Sequence, residues 1–104
     1  MARYDVVRNK GGRGLTDTPY LLDVQADILG QLHTRMVVPL RRSEGIRHPI
    51  RRLQPTFRVE GVQVMMDTPA LVGAPIADLG ESVGSLAADS PAVLAALDFL
   101  FKGI

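Results

Sequence analysis

The chain has 104 residues, 46% of them hydrophobic and 22% charged, with a formal net charge of +1 and no cysteine. That length suits one domain with a single modest core. The absence of cysteine excludes disulfides and thiolate zinc sites. No apolar run approaches the roughly 18 residues of a membrane span, the longest being Ala92 to Leu97. The N-terminus, Met1 to Asp5, lacks the apolar stretch of a secretion signal, so the expectation is a cytoplasmic protein.

In chain order, Tyr4 to Val7 reads as a first strand and the glycine-rich stretch 9–14 as a hairpin loop. Its three glycines beside cations lack the Gly-Lys-Ser/Thr ending of a phosphate loop. Leu22, Val24, Ala26 and Ile28 alternate with Asp23, Gln25 and Asp27. That period of two predicts a strand with one buried face and the polar residues in solvent. Gly30 to Thr34 turns the chain into a second β-rich run, Arg35 to Leu40, whose Pro39 suggests a strand end or an edge. Arg41 to Arg52 reads as a polar insert, loop or short helix. Thr56 to Val59 and Val62 to Met66 flank Glu60-Gly61, a two-residue hairpin signal. Pro69 to Leu79, broken by Gly73 and Pro75, reads as a kinked strand, and Gly80 to Leu86 as a turn with one helical turn.

The last segment predicts a helix. Ser90 suits the N-cap, Pro91 the first helical position, and Gly103 the end of a body running from Ala92 to Lys102. Only Asp98 and Lys102 interrupt its apolar surface, so a lone helix on a monomer would leave an apolar side in water. A small β-barrel on one side and a second subunit on the other would cover it, which predicts a homodimer.

Charge is unevenly distributed. Residues 1–58 hold eleven of the twelve basic residues and five acids, a net of +6, while residues 59–104 carry a net of −5. Ten of the twelve cations are arginine, the side chain best suited to bidentate pairing with carboxylate or phosphate. Arg41, Arg42, Arg47, Arg51 and Arg52 gather within twelve residues and could grip an anionic partner; a solvated polar insert is the alternative.

Enzymatic constellations are not found. Asp23 and Asp27 would stand about 13–14 Å apart on an extended strand, too far for a glycosidase carboxylate pair. His33 and His48 have no second ligand at metal spacing, and no Gly-x-Ser-x-Gly elbow exists. No catalytic residue, metal or cofactor is expected.

The run Leu22-Asp23-Val24-Gln25-Ala26-Asp27-Ile28-Leu29, followed by Arg35-Met36-Val37-Val38-Pro39-Leu40, resembles the signature of the CcdB toxin family. The hairpin with Met65-Met66, then Pro75, Gly80 and Leu86, and the ending Phe101-Lys102-Gly103-Ile104 fall into the same register. The resemblance covers the whole chain, residues 1–104, as one domain. It implies a mainly β (α+β) fold: an SH3-like small β-barrel with a C-terminal helix, assembled as a two-fold dimer. It also implies the toxin of a type II toxin–antitoxin module of plasmid or chromosome. Such a toxin inhibits DNA gyrase through its A subunit and is neutralised by a CcdA-like antitoxin, with no membrane or direct nucleic-acid binding. The same fold serves the MazF and Kid ribonucleases. For that chemistry Arg35 is conceivable, but the sequence offers it no convincing acidic partner.

Carried over by position, the resemblance implies gyrase contacts at Ile28, Leu29, Asp98, Lys102, Gly103 and Ile104. Lys10, Arg13, Arg41, Arg42, Arg47, Arg51 and Arg52 are expected to meet the antitoxin. The helix end departs from the family, with Asp98 where members carry Asn and Lys102 where they carry Trp. Spaced i,i+4, the two can form a weak ion pair, whereas Trp offers a flat apolar anchor. Either the chain meets a different gyrase surface, or gyrase poisoning is weak, lost or redirected to another target.

Overall fold

A computed structural model describes residues 1–11, 17–29, 31–43 and 49–103. Seven antiparallel strands precede one helix: β1 Asp5–Asn9, β2 Tyr20–Asp23, β3 Thr34–Arg42, β4 Thr56–Val59, β5 Val62–Met66, β6 Val72–Pro75, β7 Leu79–Ser85 and α1 Ser90–Lys102. The strands form one curled sheet in the order β4-β5-β3-β2-β1-β7, with β6 also on β3. The result is a mainly β half-barrel closed on one side by the helix.

The long strand β3 organises the sheet. One edge pairs with β2 from Tyr20↔Leu40 to Asp23↔Val37. The other is shared, β6 taking Thr34 to Val37 and β5 taking Leu40 to Arg42. Pro39, expected at a strand end or an edge, instead sits inside this central strand. Its carbonyl accepts from Asp67 N–H at 2.9 Å, so its nitrogen faces the gap between β5 and β6. No ladder donor is needed there, which is how a central strand tolerates proline.

The strands bury both faces. Val6, Tyr20, Leu22, Val38, Leu40, Val64 and Met66 pack with Val93 and Ala96 of α1 inside the curl. Their neighbours Val7, Leu21 and Val37 form a second cluster on the opposite face with Ala74 and Leu79. Hence β2 has no solvent face, and the expected solvated row is overturned at Asp23 and Gln25, which are buried, while Asp27 is exposed. The alternation also ends at Asp23, since Asp27–Leu29 forms a 3-10 turn.

Local chemistry explains most of the remaining elements. Glu60 and Gly61 both have positive φ, 50° and 78°, the backbone of a type I′ turn whose twist matches the β4–β5 hairpin. Segment 80–86, expected as a turn, is mostly β7. It follows β1 through two register shifts, and a Cβ on Gly80 would lie 2.8 Å from the Arg8 carbonyl oxygen. Glycine is what lets the two backbones approach so closely. Arg41 and Arg42, assigned from sequence to the insert, complete β3. In α1, Gly103 at φ 74° donates its N–H to Phe99 C=O and ends the helix as expected. Val93 and Ala96 are buried, whereas Leu94 and Phe101 are 38% and 71% exposed.

Candidate functional site

Two parts of the surface carry the residues expected to meet a target. The first lies where the β2–β3 ladder ends. Val24 N–H still donates to Met36 C=O at 3.1 Å, but the reciprocal donor, Met36 N–H, is taken by Gln25 Oε1 at 3.0 Å. Gln25 Nε2 then donates to Leu29 C=O at 2.8 Å. Leu29 N–H returns to Ala26 C=O, closing the turn, and Asp27 Oδ1 accepts from Arg3 N–H at 2.7 Å. This tied-down turn presents Ile28 at 89% exposure and Leu29 at 48%. Leu32 and Met36, not singled out from the sequence, add exposed apolar surface just downstream.

Beneath it lies a buried ion pair. Asp23 Oδ1 accepts the Gln25 N–H at 3.0 Å and Oδ2 accepts Arg35 Nε at 2.8 Å. Arg35 Nη2 stands 2.6 Å from the same oxygen, too far off line for a second hydrogen bond. The side chains are 0% and 4% exposed. Burial pushes the Asp23 carboxyl above its ordinary value, against the opposing pull of the Gln25 N–H and the Arg35 guanidinium. Arg35 therefore does have an acidic partner, one that removes it from solvent.

The second part is the end of α1. Asp98 and Lys102 share a helix face with Lys102 Nζ 3.9 Å from Asp98 Oδ1, and their side chains are 58% and 64% exposed. Such a pair adds little to stability. Gly103 is exposed; Ile104 lies outside the described residues.

The basic residues do not form one uniform patch. Arg41 reaches Asp67 at 3.4 Å and Asp17 at 3.5 Å. Arg52 lies with its guanidinium carbon 4.7 Å from the centroid of the Phe99 ring, a cation–π contact that ties the 49–55 segment to α1. Arg51 is exposed and lines a cavity of about 390 Å³ with Gln54, Thr56 and Gln63. Arg42 ends β3, its N–H donating to Asp17 C=O, and Lys10 is exposed beside β1. Arg13 and Arg47 lie outside the described residues. Among the described residues no group of three or more His, Asp or Glu could hold a metal, and no helix is long and apolar enough to cross a membrane.

A curled, mainly β sheet with one C-terminal helix is the fold that the sequence resemblance implied. A model of the CcdB protein family matches residues 3–103. The chain belongs to the CcdB family. It is a toxin of the toxin–antitoxin type. Among solved structures, the Mycobacterium tuberculosis toxin MazF-mt6 superposes with a TM-score of 0.74 at 16% identity, over 94% of this chain and 96% of that one. At that identity the likeness establishes the shared CcdB/MazF-type fold alone. A comparison with curated proteins by sequence finds no match.

Proposed function

We propose that this CcdB-family chain inhibits DNA gyrase by binding its A subunit, acting as a homodimer in the cytoplasm and neutralised by a CcdA-like antitoxin. The observation that carries the reading is Ile28. An isoleucine 89% exposed on a turn held by four hydrogen bonds costs free energy in water and suits a preformed protein contact. With Leu29 it forms one half of the contact; Asp98, Lys102, Gly103 and Ile104 form the other. The exposed Leu94 and Phe101 give the outer side of α1 apolar surface that a second subunit would cover. Lys10, Arg13, Arg41, Arg42, Arg47, Arg51 and Arg52 are the proposed antitoxin contacts, met by an acidic segment.

On this reading the chain is not an enzyme. Arg35, the cation conceivable for ribonuclease chemistry, is buried against Asp23, away from any RNA phosphate. A second reading, in which the family's gyrase activity has drifted to another target, is favoured by one observation. The helix end offers a solvated Lys102–Asp98 ion pair in place of an aromatic anchor.

The test is DNA cleavage trapped by purified gyrase in the presence of the purified chain. Accumulated cleavage complex supports the first reading. Gyrase binding and cleavage both at background, alongside retained antitoxin binding, replaces it with the second.

A further inference from the structure

We propose that Gln25 is a positioning residue for the target contact: its amide is the clamp that fixes the Asp27–Leu29 turn, and with it Ile28 and Leu29, on the end of the β2–β3 ladder. The inference rests on the gyrase reading and assigns it a residue that touches no target. Gln25 is only 6% exposed, so it is not a contact itself. Its side chain spends both ends of one planar amide on backbone groups from different segments: Oε1 on Met36 N–H of β3, and Nε2 on Leu29 C=O of the turn. Among the described residues the turn's other hydrogen bonds do not reach β3: Leu29 N–H closes on Ala26, Leu29 C=O also accepts from Leu32 N–H ahead of the strand, and Asp27 reaches Arg3. Gln25 is itself located by its own N–H on Asp23 Oδ1, and Asp23 by Arg35. A chain of bonds thus runs from the buried ion pair to the carbonyl of Leu29.

Glutamine suits this duty for a physical reason. A three-residue 3-10 turn has too few internal hydrogen bonds to hold its own orientation. A contact built on exposed apolar side chains gains affinity when their positions are fixed before binding. One neutral amide supplies both a donor and an acceptor where the strand ladder stops supplying them.

The test uses Gln25→Met, which keeps the length and removes both bonds, and Gln25→Glu, which keeps an acceptor for Met36 and loses the donor to Leu29. Amide exchange of Met36 should accelerate by at least about tenfold in Gln25→Met and stay near the wild-type rate in Gln25→Glu, while amides of the β4–β5 hairpin keep their rates in both. Binding to purified gyrase A subunit should weaken about tenfold in each variant. In Gln25→Met combined with Ile28→Ala, the loss should be close to that of Ile28→Ala alone, because the clamp acts through the side chain it positions. Additive losses, or a Met36 amide at the wild-type rate in Gln25→Met, would overturn the proposal. Failure of the wild-type chain to bind gyrase would instead remove the gyrase reading. The exchange rates would then decide the clamp by themselves, a wild-type Met36 rate in Gln25→Met rejecting it.

Discussion

Asp23 and Arg35 lie diagonally across the β2–β3 ladder, and between them they remove a full positive and a full negative charge from water. The Arg35 Nε donates to the carboxylate at 2.8 Å with both side chains almost wholly buried. Desolvation makes such a pair a weak source of net stability, yet breaking it strands one charge in the interior. Asp23→Ala and Arg35→Ala should each cost about 3–5 kcal/mol in denaturant-induced unfolding. Replacing both by apolar residues of similar size, Asp23→Leu with Arg35→Met, should cost far less than the sum of the two single changes.

Gly80 and Gly84 lie on the same strand and should respond oppositely to alanine. A Cβ at Gly80 meets the Arg8 carbonyl oxygen at 2.8 Å and Arg8 Cβ at 2.9 Å, whereas one at Gly84 meets nothing within 4 Å. Gly80→Ala should destabilise by about 1–3 kcal/mol. Gly84→Ala should be neutral or slightly stabilising through the unfolded chain. Thermal or urea unfolding of the two variants side by side checks this.

Tyr20 sets an alkaline limit. Burial, then its hydrogen bond to Glu60 at 2.6 Å, raises the phenol above its ordinary value of 10.0. The folded state therefore keeps the proton in a range where the unfolded state has released it. Its stabilising contribution is complete below pH 10.0 and is lost as pH rises from there through the higher folded value. Unfolding free energy measured between pH 9 and 11 should fall less steeply in Tyr20→Phe than in the wild type.

At the end of α1, Lys102 can contribute to a target only through its charge or its stem. Lys102→Ala should change gyrase trapping little, while Lys102→Trp should increase it. Asp98→Asn with Lys102→Trp should increase it further by removing an unpaired carboxylate from the contact. Deleting Gly103 and Ile104 should abolish whatever toxicity the chain has. Cleavage complex counted on gels across the series separates these outcomes; no gain in the double variant would shift weight to a drifted target.

The arginines should differ in their contribution to antitoxin binding. Arg52 is committed to Phe99 and Arg41 to Asp67 and Asp17, whereas Arg51 is exposed at the cavity rim. Arg51→Ser should flatten the salt dependence of binding to an acidic antitoxin segment more than Arg52→Ser does. Arg52→Ser should instead lower thermal stability, by about 0.5–1 kcal/mol for the lost cation–π contact. Binding isotherms at several salt concentrations distinguish the two.

Elements with local causes were legible in the sequence. Glu60-Gly61 dictates its hairpin, Gly103 ends α1, and the signature run implied the fold as a whole. The helix start is one residue early, with Asp89 at the N-cap and Ser90, the expected cap, already helical ahead of Pro91. What escaped was decided by partners distant in sequence. Asp23 and Gln25 read as solvated because alternation assumes one wet face, but Val7, Val37, Ala74 and Leu79 dry the other. Gly80 read as a turn because its reason, the Arg8 backbone, lies far away in the chain. Pro39 read as an edge because nothing local reveals that β5 and β6 divide one side of β3. Arg41 and Arg52 looked equivalent, and only their neighbours Asp67 and Phe99 separate them.

The pairing of β1 with β7 sets the order in which the molecule can be made. It joins residues 5–9 to residues 79–85, so β1 leaves the ribosome well before the strand it must pair with. Loop-closure entropy makes such a ladder late and slow even in the free chain. Until then β1 has one unpaired edge, a template for aggregation in the nascent or refolding protein. The helix that bears the proposed target contact follows β7 directly. A ribosome-bound chain therefore exposes its Ile28 turn before it can offer the other half of the surface, and synthesis itself delays the toxin's assembly.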